Sequence, residues 1–144
     1  MMVSDIIKEN GHTIRTVPPT LTIGELSNRL RTEKVGAMIV SIDGRSLDGI
    51  ISERDIVHGL ADHGAHLDSV PVAELCTSAV HTCRPDDSVG KVARLMTVRR
   101  VRHVPVVQDD RLVGIVSIGD VLKHRLVEVQ LEANVLRDVA IAVR

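Results

Sequence analysis

Apolar residues recur at two spacings along the chain, and segments with one spacing alternate with segments of the other. Apolar positions three and four residues apart predict amphipathic helices at 23–33 and 89–98, and Thr22 and Ser88 stand where helix N-caps are expected. Continuous apolar runs predict strands that are covered on both faces. These strands are residues 37–42, 47–52, 103–107 and 112–117. The alternation of helices and strands indicates a mixed α/β fold.

The remaining segments complete two copies of one β-α-β-β-α pattern. Each copy opens with a short extended piece and closes with a helix. These pieces are residues 13–17 and 53–61 in the first copy, and 79–83 and 118–126 in the second. An N-terminal helix at 3–10, ended by Gly11, and a linker helix at 71–76 precede the copies. The predicted domain boundaries are a first repeat at 3–61, a polar loop at 62–70, a second repeat at 71–126 and a C-terminal helix at 127–144.

The two copies also match residue by residue, which indicates an internal duplication. Residues 13–45 match residues 79–111 at an offset of 66. Ser46 is one extra residue in the first copy, and from Leu47 onward the offset is 65. Identities on both sides of a single one-residue slip are not expected by chance.

One string recurs where the last strand of each copy runs into its last helix. It reads Gly-Ile-Ile-Ser-Glu-Arg-Asp at 49–55 and Gly-Ile-Val-Ser-Ile-Gly-Asp at 114–120. Such a corner presents free backbone N–H groups and the positive end of a helix dipole, which suit an anion. The Ser and Asp spacing equally fits a capping box. The repetition of the whole neighbourhood favours a binding role.

This duplicated string, with Val-Arg-His-Val-Pro-Val-Val at 101–107, resembles the CBS domain, the cystathionine-β-synthase type. The two copies together resemble a tandem CBS pair, or Bateman module, of the stand-alone bacterial type, since no length is left here for a catalytic domain. The resemblance implies two repeats packed about a pseudo-twofold axis, with a C-terminal helical extension. It also implies two clefts for adenosine ligands, in which the carboxylate of the string holds the ribose hydroxyls and the other repeat encloses the adenine.

The resemblance assigns the first cleft to Ser117 and Asp120. The residues expected around its adenine and phosphates are Pro18, Val35, Gly36, Ala37, Ile115 and Arg100. The second cleft would use Ser52, Arg54 and Asp55, opposite Val101, Arg102 and His103. Because Arg102 and His103 are bulky, a standard adenine position fits the second cleft less well, and we expect the first to be the stronger site.

Four basic residues lie within five positions of the second repeat. They are Arg99, Arg100, Arg102 and His103. They suit ligand phosphates, and the alternative is a solvated helix C-terminus, which also favours cations. Arg54 has the same two options, since it can bind phosphate or pair with Glu53 or Asp62.

Composition narrows the class of protein. The 144 residues include no Phe, Tyr or Trp, so aliphatic side chains and backbone must hold any ligand ring. A net charge of −1 argues against a nucleic-acid partner. Without a signal-peptide pattern or a membrane-spanning apolar run, we expect a cytoplasmic protein with no membrane contact. Cys76 and Cys83 predict neither a disulfide framework nor a metal site, and no metal is expected.

Three functions remain open on the sequence alone. The first is a regulatory sensor that binds AMP, ATP or NAD and signals to an unidentified protein partner through a conformational change. The second is an enzyme, which we do not expect because no nucleophile with a base, metal triad or phosphate-binding loop with its Lys occurs. The third is a ligand-independent interaction scaffold with vestigial clefts. Ser and Asp in both copies favour the sensor.

An apolar stripe continues past the second repeat, through Val127, Leu131, Val135, Leu136 and Val139. It either folds back on the core or pairs with a second chain. We expect the pairing, and therefore a homodimer.

Overall fold

The computed structural model describes residues 1–143. The elements in chain order are α1 (Val3–Glu9), β1 (Thr16–Val17), α2 (Ile23–Glu33), β2 (Ala37–Val40), β3 (Gly49–Ser52), α3 (Glu53–His63), a 3₁₀ helix (Gly64–Ser69), α4 (Val72–Leu75), α5 (Val89–Arg99), β4 (His103–Gln108), β5 (Arg111–Ser117) and α6 (Ile118–Ala142). The mixed α/β fold predicted from the sequence is confirmed. So are the two caps, because Thr22 Oγ1 accepts from Glu25 N at 3.2 Å and Ser88 Oγ accepts from Lys91 N at 3.0 Å.

Each repeat contributes one small sheet. In the first, β1 pairs in parallel with β2, and β2 pairs antiparallel with β3, with Ala37 opposite Ser52. In the second, β4 pairs antiparallel with β5, with His103 opposite Ser117. The register is therefore the same in both copies. The Ser of the repeated string lies opposite the first residue of the preceding strand.

The hairpin turns differ because of the extra residue Ser46. In the first repeat, Asp43 Oδ1 accepts hydrogen bonds from the backbone N–H groups of Ser46 and Arg45, at 2.8 Å each, and from the Ser46 hydroxyl at 3.0 Å. These bonds hold the pKa of Asp43 far below its ordinary value. The second repeat turns through Asp109 and Asp110, whose φ angles of 52° and 60° suit a two-residue hairpin.

The extended piece predicted at 79–83 is mostly not a strand. Of these residues, Cys83 alone pairs with its own sheet, as a parallel bridge to Val106. Just upstream, Thr77 pairs instead with Ile50 of the first repeat, and a 2.9 Å backbone hydrogen bond runs in each direction. The Thr77–Ile50 pairing carries residues 77–81 to the boundary between the two repeats.

The predicted polar loop at 62–70 is wrong in part. Helix α3 continues to His63, and the 3₁₀ helix Gly64–Ser69 follows it. The physical reason is burial, since Leu67 and Val70 pack into the core of the first repeat. Two apolar anchors in a polar stretch are enough to order it.

The helices that flank the repeats pack crosswise. Helix α1 precedes the first repeat, yet Val3, Ile6 and Ile7 belong to the core that is otherwise built from α5, β4, β5 and α6 of the second. Helix α4 precedes the second repeat, yet Val72 packs into the core of the first. Each predicted domain therefore contributes one helix to the core of the other domain.

Helix α6 runs unbroken for 25 residues, so the closing helix of the second repeat and the C-terminal extension are one helix. Its extension does not fold back on the core. Leu131, Val135 and Val139 remain 56%, 60% and 56% exposed. Residue 144 of the predicted C-terminal helix lies outside the described residues. Within residues 1–143, no helix has the length and apolar character needed to cross a bilayer.

Candidate functional site

A cavity of about 250 Å³ lies between the two repeats. The first repeat supplies one wall, with Gly36, Ile50, Ser52, Glu53, Arg54 and Asp55. The second supplies the other, with Thr77, Ala79, Val80, His81, Arg100, Val101, Arg102 and His103. The wall from the second repeat is thus placed by the Thr77–Ile50 pairing and by the turn that leads from α5 into β4.

Asp55 is held at the edge of the cavity's first wall by the start of α3, where it is one of the lining residues. Its Oδ2 accepts from Ser52 N at 2.8 Å and from Ser52 Oγ at 3.1 Å, which is the capping box expected from the spacing. In residues 1–143, the hydrogen bonds to this carboxylate all end on Oδ2. The cap therefore leaves Oδ1 as an acceptor for a ligand, and the capping and binding interpretations are compatible.

The matching corner at the start of α6 has the same geometry. Ser117 N and Ser117 Oγ both donate to Asp120 Oδ2 at 2.9 Å. Asn10 Nδ2 adds a contact to the same oxygen at 3.5 Å. The N-terminal segment therefore lies beside the corner of the second repeat, and Asp55 has no counterpart of this contact in the described residues.

Basic residues surround the Asp55 cavity from both repeats. Arg54 lies in the first turn of α3, and its Nη1 donates to the backbone carbonyl of Arg100 at 3.3 Å. Arg100 ends α5 in the left-handed conformation, with φ of 55°, which turns the chain so that Arg102 and His103 follow along the wall. Arg54, Arg100, Arg102 and His103 thus face one cavity, where a phosphate would be well placed.

His103, on the wall from the second repeat, lies close to Gly36 of the first. A Cβ placed on Gly36 would lie 3.5 Å from His103 Cε1 and 3.4 Å from Glu53 Oε1, so a small residue at 36 leaves room for both. Burial lowers the pKa of His103, with Arg102 acting in the same direction, while the charges of Glu53 and Asp120 oppose it. His103 is therefore neutral near pH 7, and it lies within electrostatic reach of both Glu53 and Asp120.

The structure divides the residues predicted for the site. Those that line the cavity are Gly36, Ser52, Arg54, Asp55, Arg100, Val101, Arg102 and His103. Gly36 and Arg100 were assigned to the Asp120 cleft from the sequence, and they lie here on the Asp55 cavity. The others lie elsewhere. Pro18 is exposed, Ala37 is buried in β2 opposite Ser52, Val35 packs on the first core, and Ile115, Ser117 and Asp120 belong to β5 and the start of α6.

Sequence reasoning missed several wall residues. They are Ile50, Glu53, Thr77, Ala79, Val80 and His81. The duplication contained a signal for the last three, because Ala79, Val80 and His81 match Thr13, Ile14 and Arg15 at the offset of 66. The resemblance implied that the other repeat encloses the adenine, and the extended piece of the second copy supplies these three residues to the cavity of the first.

The described residues contain no group of His, Cys, Asp and Glu suited to hold a metal ion. Cys76 and Cys83 are free thiols. Burial raises the pKa of Cys83 to about 12, so this thiol stays protonated and unreactive at neutral pH.

The fold and the duplicated corner define a class of protein, and comparison with known proteins identifies the family. The family profile of the CBS domain matches the chain twice, at residues 2–62 and 72–127. The chain belongs to the CBS domain family and contains a tandem pair of these domains. Such pairs are regulatory modules.

Relatives in other organisms share this pair. The chain is 34% identical over 106 residues to a mitochondrial CBS domain-containing protein of Arabidopsis thaliana, covering 71% of this chain and 52% of that protein. It is 30% identical over 113 residues to the CBS domain-containing protein YhcV of Bacillus subtilis, covering 78% and 79%. The chain thus spans about half of the Arabidopsis relative and most of the Bacillus one.

Solved structures have the same architecture. A CBS-domain containing protein from Agrobacterium tumefaciens superposes with a TM-score of 0.83 at 37% identity, covering 87% of this chain and 99% of that one. The CBS domain pair of the protein MJ0100, solved with 5′-methylthioadenosine and S-adenosyl-L-methionine, superposes with a TM-score of 0.77 at 27% identity, covering 89% and 98%. A protein similar to this chain therefore binds adenosine derivatives.

Proposed function

We propose that this protein is a regulatory sensor that binds an adenine nucleotide, of the AMP, ATP or NAD type, in the Asp55 cavity. The observation that carries the proposal is the meeting of the Asp55 carboxylate, an enclosing segment from the other repeat and the cluster of Arg54, Arg100, Arg102 and His103 around one cavity. Asp55 Oδ1 is placed to accept from a ribose diol, and charge-assisted bonds of this kind are strong. Residues 77–81 form the wall against which adenine would lie. Asp120 is the ribose acceptor proposed for a second cleft.

Binding between the repeats provides a route for the signal. A ligand that contacts Asp55 of the first repeat and residues 77–81 of the second fixes the position of one repeat relative to the other. The Arg54–Arg100 contact at 3.3 Å already joins the two repeats at the edge of the cavity. A ligand phosphate that draws Arg54 away from Arg100 would favour one arrangement over another, and such differential affinity is what a conformational signal requires.

Calorimetric melting with a panel of ligands tests the proposal. The panel contains AMP, ADP, ATP, NAD, S-adenosylmethionine and 5′-methylthioadenosine, with GMP and inorganic triphosphate as controls. A nucleotide at a hundred times its dissociation constant should stabilise the fold by about 2.7 kcal/mol. For a chain of this size, that is a rise in melting temperature of roughly 5–10 °C. Calorimetry is preferred to a dye because α6 exposes apolar side chains.

The alternative function is a ligand-independent scaffold, which the exposed apolar residues of α6 favour. Melting temperatures unchanged by every adenine compound would support this alternative. A shift of equal size with GMP or triphosphate would indicate anion binding without selection of adenine, and would contradict the sensor proposal.

The affinity of the cavity for a phosphorylated ligand should increase as the pH falls from 7.5 to 6. Burial holds the pKa of His103 below its ordinary value in the free protein, so protonation of His103 opposes folding. A bound phosphate would favour the protonated ring, and binding would therefore take up a proton. Isothermal titration in two buffers with different ionisation enthalpies measures that uptake.

Two variants identify the residue that takes up the proton when the ligand binds. His103→Asn should lose the extra uptake, whereas His81→Asn, on the same cavity, should retain it. The groups that face His103 are Glu53, Asp120 and Arg102, and their charges are present in both variants. Loss of the uptake in His81→Asn, with retention in His103→Asn, would show that His103 is not the responding group.

A further inference from the structure

Strand β5 has an open edge at a position where its counterpart β3 is paired. In the first repeat, Ile50 exchanges two backbone hydrogen bonds of 2.9 Å with Thr77, on the edge of β3 that faces away from β2. Ile115 is the same residue of the second repeat, at the offset of 65. It lies opposite Pro105, which has no N–H, so the N–H and C=O groups of Ile115 point to the outer edge of β5. Within residues 1–143, no backbone group pairs with them there, and the edge is free to accept another segment.

The duplication identifies the segment that corresponds to Thr77. Helix α4 ends at its C-cap Cys76, and helix α1 ends at its C-cap Asn10, which is the matching position at the offset of 66. The next residue is Thr77 in one copy and Gly11 in the other. Gly11 is therefore the counterpart of the pairing residue, and we name residues 10–15, which follow α1, the strap.

The two helix ends differ in backbone conformation, and this difference decides which of them pairs. Cys76 is extended, with φ of −70° and ψ of 154°, so the chain continues along the edge of β3. Asn10 instead has φ of −77° and ψ of 2°, and Gly11 and His12 follow with φ of 74° and 58°. The N–H groups of Gly11 and His12 bond back to carbonyls of α1 at 3.2 Å each, as in a Schellman motif. The chain thus turns back onto α1 instead of reaching Ile115.

The turned and the extended conformations of the strap are closely matched. The turned one has the two bonds from Gly11 and His12 to α1, and the extended one gains two bonds to Ile115. The turned one holds His12 at a positive φ, which residues other than glycine rarely adopt. The extended one requires Ile7 to turn away from Gly114, over which it lies. Because the gains and losses are of the same kind, a ligand with a preference for one conformation can decide between them.

The strap also contacts the carboxylate that is proposed to hold a ribose in the second cleft. Asn10 Nδ2 lies 3.5 Å from Asp120 Oδ2, whereas the backbone N–H and the hydroxyl of Ser117 donate to the same oxygen at 2.9 Å. The Asn10 contact is the long one of the three, and a ribose hydroxyl that reaches Asp120 competes with it. A ligand in the Asp120 cleft therefore acts directly on the first residue of the strap.

We propose that the strap is a switch, which becomes extended when a ligand binds in the Asp120 cleft and then pairs Gly11 with Ile115. The extended strap encloses the ligand of this cleft in the way that residues 77–81 enclose the Asp55 cavity. The inference rests on the second cleft of the proposed function, and it adds the segment that responds to the ligand. The response reaches α1, because the bonds that close the end of this helix are given up.

Hydrogen exchange of single backbone amides, measured by NMR on the full chain, tests the switch. The amide of Ile115 should exchange rapidly in the free protein and slow by about tenfold or more when AMP or 5′-methylthioadenosine occupies the Asp120 cleft. The amide of Ile50 is the internal control, because its bond to Thr77 protects it in both states. Calorimetric titration of wild type and Asp120→Asn shows whether each compound binds in this cleft, and Asp120→Asn should lose the slowing at Ile115.

Two variants test the strap without a ligand. Gly11→Thr introduces the residue of the other copy, and threonine disfavours the φ of 74° of the turned conformation. A Cβ at Gly11 meets nothing within 4 Å, so a loss of folding is not expected. The variant should slow the exchange of the Ile115 amide in the free protein. His12→Gly relieves the positive φ of 58° and should have the opposite effect, with rapid exchange in the free protein and less slowing by a ligand.

The outcomes separate the switch from the sensor proposal. An Ile115 amide that is as protected as that of Ile50 in the free wild type overturns the inference. Rapid exchange at Ile115 with a compound bound in the Asp120 cleft also overturns it, and leaves the sensor proposal intact. If no compound binds in this cleft, Gly11→Thr decides, because slow exchange at Ile115 supports the switch and rapid exchange contradicts it.

Discussion

Replacement of Asp55 by asparagine is expected to weaken adenine-nucleotide binding by about 10- to 100-fold, because one or two charge-assisted hydrogen bonds to the ribose lose their anionic acceptor. The fold should tolerate the change. The asparagine would still present a side-chain oxygen to the N–H of Ser52, whose hydrogen bond Asp55 accepts at 2.8 Å in the native cap. Isothermal titration calorimetry with the nucleotide that gives the largest thermal shift measures the loss.

Asp120→Asn is the matched control for this experiment, since Asp120 forms the same capping box with Ser117 at 2.9 Å. If the Asp55 cavity is the principal site, Asp120→Asn should retain strong binding and lose only a second, weaker ligand. The reverse outcome, with strong binding lost in Asp120→Asn and kept in Asp55→Asn, would restore the first cleft as the stronger site, as expected from the sequence.

Local rules were sufficient for most of the fold. Helix α2 spans the predicted residues 23–33, and both hydroxyl caps form as expected. The Ser and Asp of the duplicated string also predicted the starts of α3 and α6 correctly, because a capping box is satisfied by residues only three positions apart. These features depend only on residues that are close together in the sequence, so the sequence alone is sufficient to predict them.

Features that depend on contacts between the repeats were harder to predict. Threonine is common in strands, so a strand at Thr77 is expected. Nothing in the neighbouring sequence indicates that Thr77 pairs with Ile50 rather than with a strand of its own repeat. The crosswise packing of α1 and α4 has the same origin, since the apolar face of a short helix does not specify which core it enters. Contacts between residues distant in sequence decide these cases. Such contacts also place Gly36 and Arg100 on the Asp55 cavity rather than on the Asp120 cleft.

The choice of the stronger of the two clefts was difficult to predict from the sequence for the same reason. The bulk of Arg102 and His103 argued for the Asp120 cleft, on the assumption that they would occupy the space of an adenine ring. In the structure they lie along one wall with Arg100, and the Thr77–Ile50 pairing supplies a separate segment for enclosing a ligand. Side-chain volume alone could not predict which cleft is the stronger ligand site, because the sequence does not indicate where the backbone of residues 77–81 runs.

The first residue of the string, Gly49, provides the second large prediction. A Cβ at Gly49 would lie 2.9 Å from the carbonyl oxygen of Thr77 and 3.2 Å from Cys76 Sγ. The first of these atoms is backbone, fixed by the two hydrogen bonds between Thr77 and Ile50, so it cannot move without breaking that pairing. We expect Gly49→Ala to cost about 1–3 kcal/mol of folding stability. Denaturant unfolding followed by circular dichroism measures the cost, because the chain has no Trp or Tyr.

The duplication supplies the control, since Gly114 is the same residue of the second copy. A Cβ there would meet Ile7 Cδ1, which is a closer contact but one with the end of a flexible side chain. Rotation of Ile7 can relieve it, so Gly114→Ala should be the less costly variant and should leave nucleotide binding in the Asp55 cavity unchanged. Gly49→Ala should weaken binding as well as stability, because Thr77 lines the cavity. If both alanine variants lose stability equally and neither affects the ligand, then the Thr77 pairing does not hold the wall of the site.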